Sequence, residues 1–179
     1  MLVYDSKSLV FLKSLPYPSR IKQGWGLTSN GVNLILSDGS STVYLLDDSF
    51  SIVDKVSISD NDDKLTSINE LEWKGDGIVL ANVLGSRCIA IILLDIGAVV
   101  GWIDLSFLLD EEIQRMEQRG LISTKGNVLN GIAYTGGKLL VTGKKWSQVY
   151  HVEQRERMIL NSSSYSNCMA GVVRDTLFG

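Results

Sequence analysis

The sequence has few of the side chains on which metal sites and histidine-based catalysis depend. Its 179 residues include one histidine, His151, and two cysteines. A zinc site needs several histidine, cysteine or carboxylate ligands, and a Ser-His-Asp hydrolase would depend entirely on His151. That residue lies in the alternating segment 149–152, where a lone histidine is better explained as structural. We therefore expect no metal and no cofactor.

The two cysteines, Cys88 and Cys168, are too few for a disulfide framework or a metal-ligand set. They could pair with each other in an oxidising compartment, which the sequence does not decide. Because Cys88 opens the apolar run 89–94, we favour its interpretation as a small buried hydrophobic residue.

Basic clusters and long uncharged apolar runs are also lacking. The net charge is −3, and the longest basic cluster is Lys144-Lys145, whereas a nucleic-acid surface needs many clustered cations. The most apolar window, 88–109, is interrupted by Asp95 and Asp104. A membrane span needs about 20 residues with few or no charges. We therefore expect neither nucleic acid nor a membrane as a partner.

The N-terminus shows no secretory signal, because the acidic Asp5 lies within the first five residues and no basic region is followed by an apolar one.

The sequence contains a repeat. A short apolar strand, an aspartate, a turn and a second strand recur around Asp5, Asp47 and Asp95, which lie 42 and then 48 residues apart. A period of about 40–45 residues is typical of β-propellers.

A second set of segments repeats between these. Each has a turn rich in residues that tolerate positive φ, followed by an apolar strand. The turns are Ser29-Asn30-Gly31, Lys74-Gly75-Asp76-Gly77 and Thr135-Gly136-Gly137, and the strands are 32–36, 78–83 and 138–141. Many short strands with regular turn signals predict an all-β fold, and the period favours a propeller.

The repeat begins in the outer half of a blade and continues for about three further units, so we expect an incomplete propeller domain over residues 1–152. Known propellers close 4–8 blades into a ring. An open row leaves an unpaired strand edge, through which copies could associate. Residues 153–179 are polar, Ser-rich and unlike the repeat, and we expect a divergent C-terminal tail there.

One segment departs from the strand pattern. Residues 109–119 place Leu109, Ile113 and Met116 on one helical face, with acidic residues at the start and Gly120 after the end. The pattern predicts one short helix inserted between blades. Such insertions lie either on a ligand-binding face or in solvent as connectors, and the sequence leaves both open.

Seven motifs share their order and approximate spacing with one known family. They are Gly24-Trp25-Gly26-Leu27-Thr28, Ser37-Asp38-Gly39-Ser40-Ser41-Thr42, Asn69-Glu70-Leu71-Glu72, Ala81-Asn82-Val83, Gly101-Trp102-Ile103-Asp104-Leu105, Val128-Leu129-Asn130-Gly131-Ile132-Ala133-Tyr134 and Val141-Thr142-Gly143-Lys144. On these motifs residues 1–152 resemble plant-type glutaminyl-peptide cyclotransferase, the glutamine cyclotransferase family.

The resemblance implies a five-bladed propeller that converts the N-terminal glutamine of peptides or proteins to pyroglutamate with release of ammonia. The α-amine attacks the side-chain carboxamide, so the site needs a carboxylic acid to move the proton and donors for the oxyanion. An aromatic box would fold the glutamine side chain onto its own amine. Family members resemble secretory-pathway proteins, and the compartment of this chain stays open.

The resemblance assigns three site residues. Trp25 resembles one wall of the aromatic box, Asn69 resembles the family's substrate-binding asparagine, and Lys144 resembles the lysine near the reacting carbonyl, where it would stabilise negative charge as a catalytic residue. Each also has a structural interpretation, as a blade-core aromatic, a blade-bridging residue and a solvated strand end respectively.

The sequence departs from the family in two places. Leu84 stands where the family motif carries a second tryptophan, and the family's catalytic glutamate is expected upstream of Met1. Glu70 and Glu72 are the nearest acids within the matched motifs, and neither is assigned that role. These departures support a second hypothesis, that the chain is a catalytically inactive propeller fragment acting as a binding scaffold or relic.

Overall fold

A computed structural model describes residues 1–120, 126–153 and 168 of the chain. Within these residues it contains fifteen β-strands, one α-helix and a one-turn 3-10 helix at Leu94–Ile96, which confirms the all-β prediction with one short helix. The strands are β1 (Leu2–Tyr4), β2 (Phe11–Ser14), β3 (Gly26–Ser29), β4 (Leu34–Ser37), β5 (Thr42–Leu46), β6 (Ile52–Ser57), β7 (Ser59–Asp60), β8 (Asp63–Lys64), β9 (Ile68–Gly75), β10 (Ile78–Val83), β11 (Cys88–Leu93), β12 (Ala98–Asp104), β13 (Leu129–Thr135), β14 (Lys138–Gly143) and β15 (Tyr150–Val152); the helix is α1 (Ser106–Gln118).

The strands form successive antiparallel meanders in chain order. The sheets are β1-β2, β3-β4-β5-β6, β9-β10-β11-β12 and β13-β14-β15, and the short hairpin β7-β8 extends the third sheet by a parallel pairing of β7 with β12. The three predicted turns lie at the hairpins β3-β4, β9-β10 and β13-β14. The predicted strand 78–83 coincides with β10.

The predicted aspartates lie at the outer hairpins. Asp5 accepts hydrogen bonds from the backbone N–H groups of Lys7 and Ser8, and Asp47 accepts them from the N–H groups of Ser49 and Ser51. A short acidic side chain that satisfies its own turn in this way favours a tight reversal. Asp95 instead lies in the 3-10 helix.

The first strands of the three larger sheets lie side by side and run in the same direction. The hydroxyl of Thr28 on β3 accepts a hydrogen bond from the Trp73 N–H on β9 at 3.0 Å. The carboxylate of Glu72 on β9 accepts one from the Tyr134 N–H on β13 at 2.7 Å. Hydrogen bonds between side chains and backbone therefore link strands that share no ladder.

Two sheets approach each other closely at Gly26 on β3. The buried Ser37 hydroxyl donates to the Asn69 carbonyl oxygen at 2.6 Å and accepts from the Gly26 N–H at 2.9 Å. A Cβ atom on Gly26 would lie 2.1 Å from that carbonyl oxygen, which is far inside van der Waals contact. Only glycine fits here.

The core lies between the sheets, and the central strands are buried on both faces. Along β10, Val79, Ala81 and Val83 pack into the cluster shared with the β3–β6 sheet, whereas Leu80 packs toward β13–β15 and α1. Because side chains alternate across a strand, apolar residues are favoured at successive positions. This explains the apolar run of β11 and that of residues 78–81 in β10, where the next residue, the buried Asn82, accepts a hydrogen bond from the Gly131 N–H at 3.0 Å.

The helix begins three residues earlier than predicted, at Ser106. The Asp104 carboxylate accepts the Ser106 N–H at 2.9 Å immediately before the helix. The buried stripe is Leu108, Glu112 and Met116, spaced at i, i+4 and i+8. The prediction was therefore correct for Met116, whereas Leu109 and Ile113 lie half-buried one position away from the stripe. No helix among the described residues is long and apolar enough to cross a membrane.

Cys88 and Cys168 form a disulfide, so the favoured interpretation of Cys88 as an unpaired hydrophobic residue was wrong. It was correct about burial, since Cys88 is fully buried at the start of β11. The Ser86 hydroxyl donates to the Cys168 carbonyl oxygen at 2.7 Å. The rest of the predicted tail beyond residue 153 lies outside the described residues.

Replacing Gly26 by alanine should destabilise the fold by at least about 3 kcal/mol, because the new methyl group would displace β3 from β9. The matched control is Gly101→Ala on β12, whose Cβ would lie at an ordinary 3.5 Å from Ile91 Cδ1. Guanidinium unfolding should show a large loss for G26A and a change below about 1 kcal/mol for G101A. Equal losses would contradict the close-approach argument.

Reducing the disulfide should lower the free energy of unfolding by about 4–5 kcal/mol, because the bond closes a loop of 80 residues in the unfolded chain. The measurement is the denaturation midpoint with and without a thiol reductant. Cys168→Ser is the control, since its midpoint should be low and indifferent to the reductant. A wild-type midpoint that does not respond to reductant would contradict the pairing.

Candidate functional site

The three residues assigned from the sequence lie in three different sheets, at the edge where the first strand of each sheet begins. Trp25 directly precedes β3, and Asn69 is the second residue of β9. Lys144 directly follows β14, where its N–H donates to the carbonyl oxygen of Val128, the residue before β13, at 2.9 Å. Because β3, β9 and β13 run side by side in one direction, their starts share an edge. We call this edge the rim (Trp25, Asn69, Leu84, Val128 and Lys144).

Trp25 is held flat against the backbone of a turn. Its N–H donates to the Ser37 carbonyl oxygen at 2.9 Å. Its indole covers Gly39, where an added Cβ would lie 2.7 Å from the ring, and Gly39 has a φ of +85°. The indole is half-buried, so part of the ring is available for contact with a ligand.

The backbone carbonyl of Asn69 takes part in the contact between β3 and β9, whereas its side-chain amide does not. Its carbonyl oxygen receives the Ser37 hydroxyl, and the residue is 7% exposed. Its amide makes no hydrogen bond to another residue of 1–120, 126–153 or 168. Buried amides are normally hydrogen-bonded, so this group has spare donors and acceptors at the rim.

Leu84 lies on the rim beside Asn69. It follows β10 directly, and its N–H donates to the carbonyl oxygen of Ser67, the residue before β9, at 2.8 Å. The side chain is half-buried. The position at which the sequence departs from the family motif is therefore part of the same edge as the assigned residues.

The loop that begins with Lys144 is held by the inserted helix. Glu112 on α1 is fully buried and accepts three kinds of hydrogen bond: from the Ser147 N–H at 2.8 Å, the Ser147 hydroxyl at 3.2 Å and the Tyr150 hydroxyl at 2.6 Å. Trp146 packs on Gly143 and meets Tyr150 edge-on at 5.8 Å. The exposed Lys144 therefore projects from an anchored loop.

The hydrogen bonds of this cluster decide its protonation. Burial alone would raise the pKa of Glu112, but the hydrogen bonds from Tyr150 and Ser147, with the charge of Arg115, hold it below the usual value. Burial and the bond to Glu112 raise the pKa of Tyr150 to about 12. The carboxylate and the neutral phenol therefore persist together across neutral pH.

A cavity of about 340 Å³ opens beside Trp25. It is lined by Met1, Tyr17, Gly24, Trp25, Gly26, Leu27, Leu36 and Glu70. Glu70 contributes a carboxyl group, and burial followed by the charge of Glu72 raises its pKa. The structure thus brings Trp25 together with Glu70, whereas Asn69 and Lys144 lie on the rim without lining this cavity.

Sequence reasoning missed two of these groups. Glu70 stood within a quoted motif, but nothing in the sequence distinguished it from Glu72, and Glu112 was counted among acidic residues at a helix start. No sequence signal pairs Glu112 with Ser147, 35 residues away. In the described residues no three histidine, cysteine or acidic side chains come together as a metal site.

Comparison with known proteins gives consistent matches. A family model described as glutamine cyclotransferase matches residues 1–154. The chain is 37% identical over 156 residues to a glutaminyl-peptide cyclotransferase of Arabidopsis thaliana, which covers 86% of this chain and 46% of that protein. It is similar to the crystal structure of Myxococcus xanthus glutaminyl cyclase, with a TM-score of 0.70, 30% identity and coverage of 80% of this chain and 59% of that one. The chain thus spans about half the length of these relatives.

Replacing Glu112 by glutamine should destabilise the chain by about 2–4 kcal/mol, because the amide presents a donor where Ser147 and Tyr150 also donate. Hydrogen exchange at the Ser147 amide should accelerate as the loop is released. The matched control is Glu111→Gln, since Glu111 makes only a half-exposed pair with Arg115. If both variants behave alike, Glu112 is not the anchor.

The contribution of Glu112 to the free energy of unfolding should also depend on pH. Because its pKa is lowered in the folded state, the stabilisation is present above the usual glutamate pKa of about 4.3 and is lost as the pH falls through the folded value. The stability difference between wild type and E112Q should therefore shrink in acid. A difference that persists at pH 2 would contradict this.

Proposed function

The chain belongs to the glutamine cyclotransferase family, and we propose that it converts the N-terminal glutamine of peptides to pyroglutamate with release of ammonia. The observation that carries the proposal is the rim, where Trp25, Asn69 and Lys144 lie at one end of three neighbouring strands. The names of the Arabidopsis and Myxococcus relatives support this reaction class. Since the chain spans 46% of the Arabidopsis protein, the activity must be tested on this chain itself.

The proposed architecture is a β-propeller of the five-bladed type. Consecutive meanders whose first strands lie side by side are the expected arrangement of neighbouring blades, and β1-β2 fits the outer half of another. Residues 1–152 would supply about three and a half blades, with residues 153–179 as a divergent tail. An edge strand without a neighbour is then a surface for self-association.

The proposed mechanism is an intramolecular acyl transfer. The neutral α-amine nitrogen attacks the side-chain carbonyl carbon and a C–N bond forms. The bond to the amide nitrogen then breaks as that nitrogen takes up the proton that the attacking amine loses, and it leaves as ammonia. Trp25 would press the glutamine side chain toward its own amine. Asn69 would hold the peptide or carboxamide by hydrogen bonds, and Lys144 would stabilise the developing oxyanion as a cation at the rim.

The alternative is a non-catalytic scaffold, and one observation favours it. Leu84 lies on the rim where the family motif carries tryptophan, and a leucine supplies apolar area without a flat rigid face. A rim with one aromatic wall would bind a peptide N-terminus without folding the glutamine side chain onto the α-amine that attacks it.

The test is mass spectrometry of Gln-Ala-Ala amide incubated with the purified chain, following the loss of ammonia. We expect loss above the spontaneous rate, and Lys144→Met should reduce it about a hundredfold because it removes the oxyanion partner. The matched control is Lys138→Met, which removes an exposed lysine from the opposite end of β14. A folded chain that releases no ammonia above background would leave the scaffold as the function.

A further inference from the structure

A second cavity lies between the β2-β3 connection and the β5-β6 hairpin, and none of the rim residues lines it. Its volume of about 400 Å³ is within the usual range for ligand pockets, about 300–1,000 Å³. The connection supplies residues 15–20 and the hairpin supplies residues 49–52. We call it the Arg20 cavity, after the charged side chain of its lining. Tyr17 lines both this cavity and the one beside Trp25, so the two cavities share one side chain.

The walls of the Arg20 cavity are conformationally restricted. Both prolines of the sequence, Pro16 and Pro18, flank Tyr17, and each proline fixes its own φ and restricts the residue before it. The hairpin on the other side is held by Asp47, which accepts two backbone N–H groups of its own turn. The buried Phe50 ring lies 6.0 Å from the Tyr17 ring, measured between centroids. Walls fixed before a ligand arrives lower the entropic cost of binding.

Arg20 brings a positive charge without a partner to this lining. Its guanidinium makes no hydrogen bond or ion pair with another residue of 1–120, 126–153 or 168. The aspartates of the turns on either side of β5 are engaged elsewhere, since Asp47 accepts the Ser49 hydroxyl at 2.6 Å and Asp38 accepts the Tyr44 hydroxyl at 3.2 Å. A guanidinium presents a fork of N–H donors that matches a carboxylate. The cavity is therefore suited to an acidic group.

We propose that the Arg20 cavity is a subsite for an acidic side chain of the peptide whose N-terminal residue lies at the rim. Because Tyr17 lines both cavities, a peptide that enters beside Trp25 and continues past the Tyr17 ring reaches the Arg20 cavity. An extended chain advances about 3.3 Å per residue, so a few residues span one aromatic side chain. This subsite rests on the proposed function for the identity of the peptide, and it names substrates that carry aspartate or glutamate downstream of the N-terminal glutamine.

The charge of the whole chain makes such a preference informative. The net charge is −3, so the chain as a whole repels an acidic peptide, and a gain from glutamate has to come from local contact with Arg20. Arg20 is exposed, which limits the size of that gain. We expect about a fivefold gain in affinity, at the upper end of the range for exposed ion pairs.

The first experiment is isothermal titration of five-residue peptide amides that begin with Met-Ala. Methionine is close to glutamine in shape and has no carboxamide, so no peptide is consumed. The peptides carry glutamate at the third, fourth or fifth position, and each is compared with the peptide that has glutamine there. Wild type should bind one glutamate peptide about fivefold more tightly than its glutamine counterpart, and high salt should reduce the difference.

The variants assign that difference to one side chain. Arg20→Gln should remove the preference for glutamate, because the neutral amide loses the charge-assisted bond. The matched control is Lys22→Gln, which removes the same charge from an exposed residue that lines neither cavity, and it should keep the preference.

Reversing the charge gives an independent readout. Arg20→Glu should bind the peptide with lysine at the same position more tightly than the glutamine peptide, since the ion pair is restored with opposite signs. Lys22→Glu changes the net charge by the same amount and should gain no such preference. Circular dichroism of each variant confirms that the fold is retained.

Peptide binding and ammonia release test different statements. If wild type shows no glutamate preference at any position, or if R20Q keeps it, or if K22Q loses it as R20Q does, the subsite assignment is wrong whatever the activity. If R20Q alone loses the preference but glutamine-initiated peptides release no ammonia, the subsite stands and the cyclotransferase activity of this chain fails. If R20Q also raises KM for the matching glutamine-initiated peptide and leaves kcat unchanged, the subsite serves substrate binding.

Discussion

The contact of β3 with β9 at Gly26 is the constraint on which the rim depends. A backbone carbonyl, a buried hydroxyl and a backbone N–H meet there, and the Ser37 hydroxyl serves both strands at once. Because a Cβ at Gly26 would overlap the Asn69 carbonyl oxygen, the two strands can approach only with glycine at this position. Trp25 and Asn69 flank that contact directly in sequence. The spacing of two proposed site residues is therefore set by backbone packing and not by their own side chains.

The other side of the rim is held by a different kind of contact. A buried carboxylate, that of Glu112, joins α1 to the β14-β15 loop by accepting hydrogen bonds from Ser147 and Tyr150. Such an ion is stable away from water only when donors surround it. The inserted helix, which the sequence left open as a ligand-face insertion or a solvated connector, contacts the loop of Lys144. Through Glu112 it holds the loop that begins with Lys144, one of the proposed site residues.

Local chemistry explains which parts of this molecule the sequence predicted. The turns were predictable because Gly31, Asp76 and Gly136 adopt positive φ, which few residue types tolerate. Strand β10 was predictable because both of its faces are buried. The disulfide, the Glu112 cluster and the Glu70 cavity were not, because each joins residues far apart in the chain. The helix start was predicted three residues too late. The helix begins at Ser106, where the N–H donates to the carboxylate of Asp104, a residue that lies outside the apolar pattern used for the prediction.

Three glutamates with limited exposure illustrate how partners, and not burial alone, decide what an acid can do. Glu72 and Glu112 accept hydrogen bonds from backbone N–H groups of neighbouring elements, which ties both side chains to the structure. Burial alone would raise the pKa of Glu112, but the hydrogen bonds from Tyr150 and Ser147 outweigh it and lower that pKa. Glu70 has the same side chain and is half-buried, but it has no donor among the described residues. Burial and the charge of Glu72 therefore raise its pKa, so that the neutral form of Glu70 persists to a higher pH than that of an ordinary glutamate.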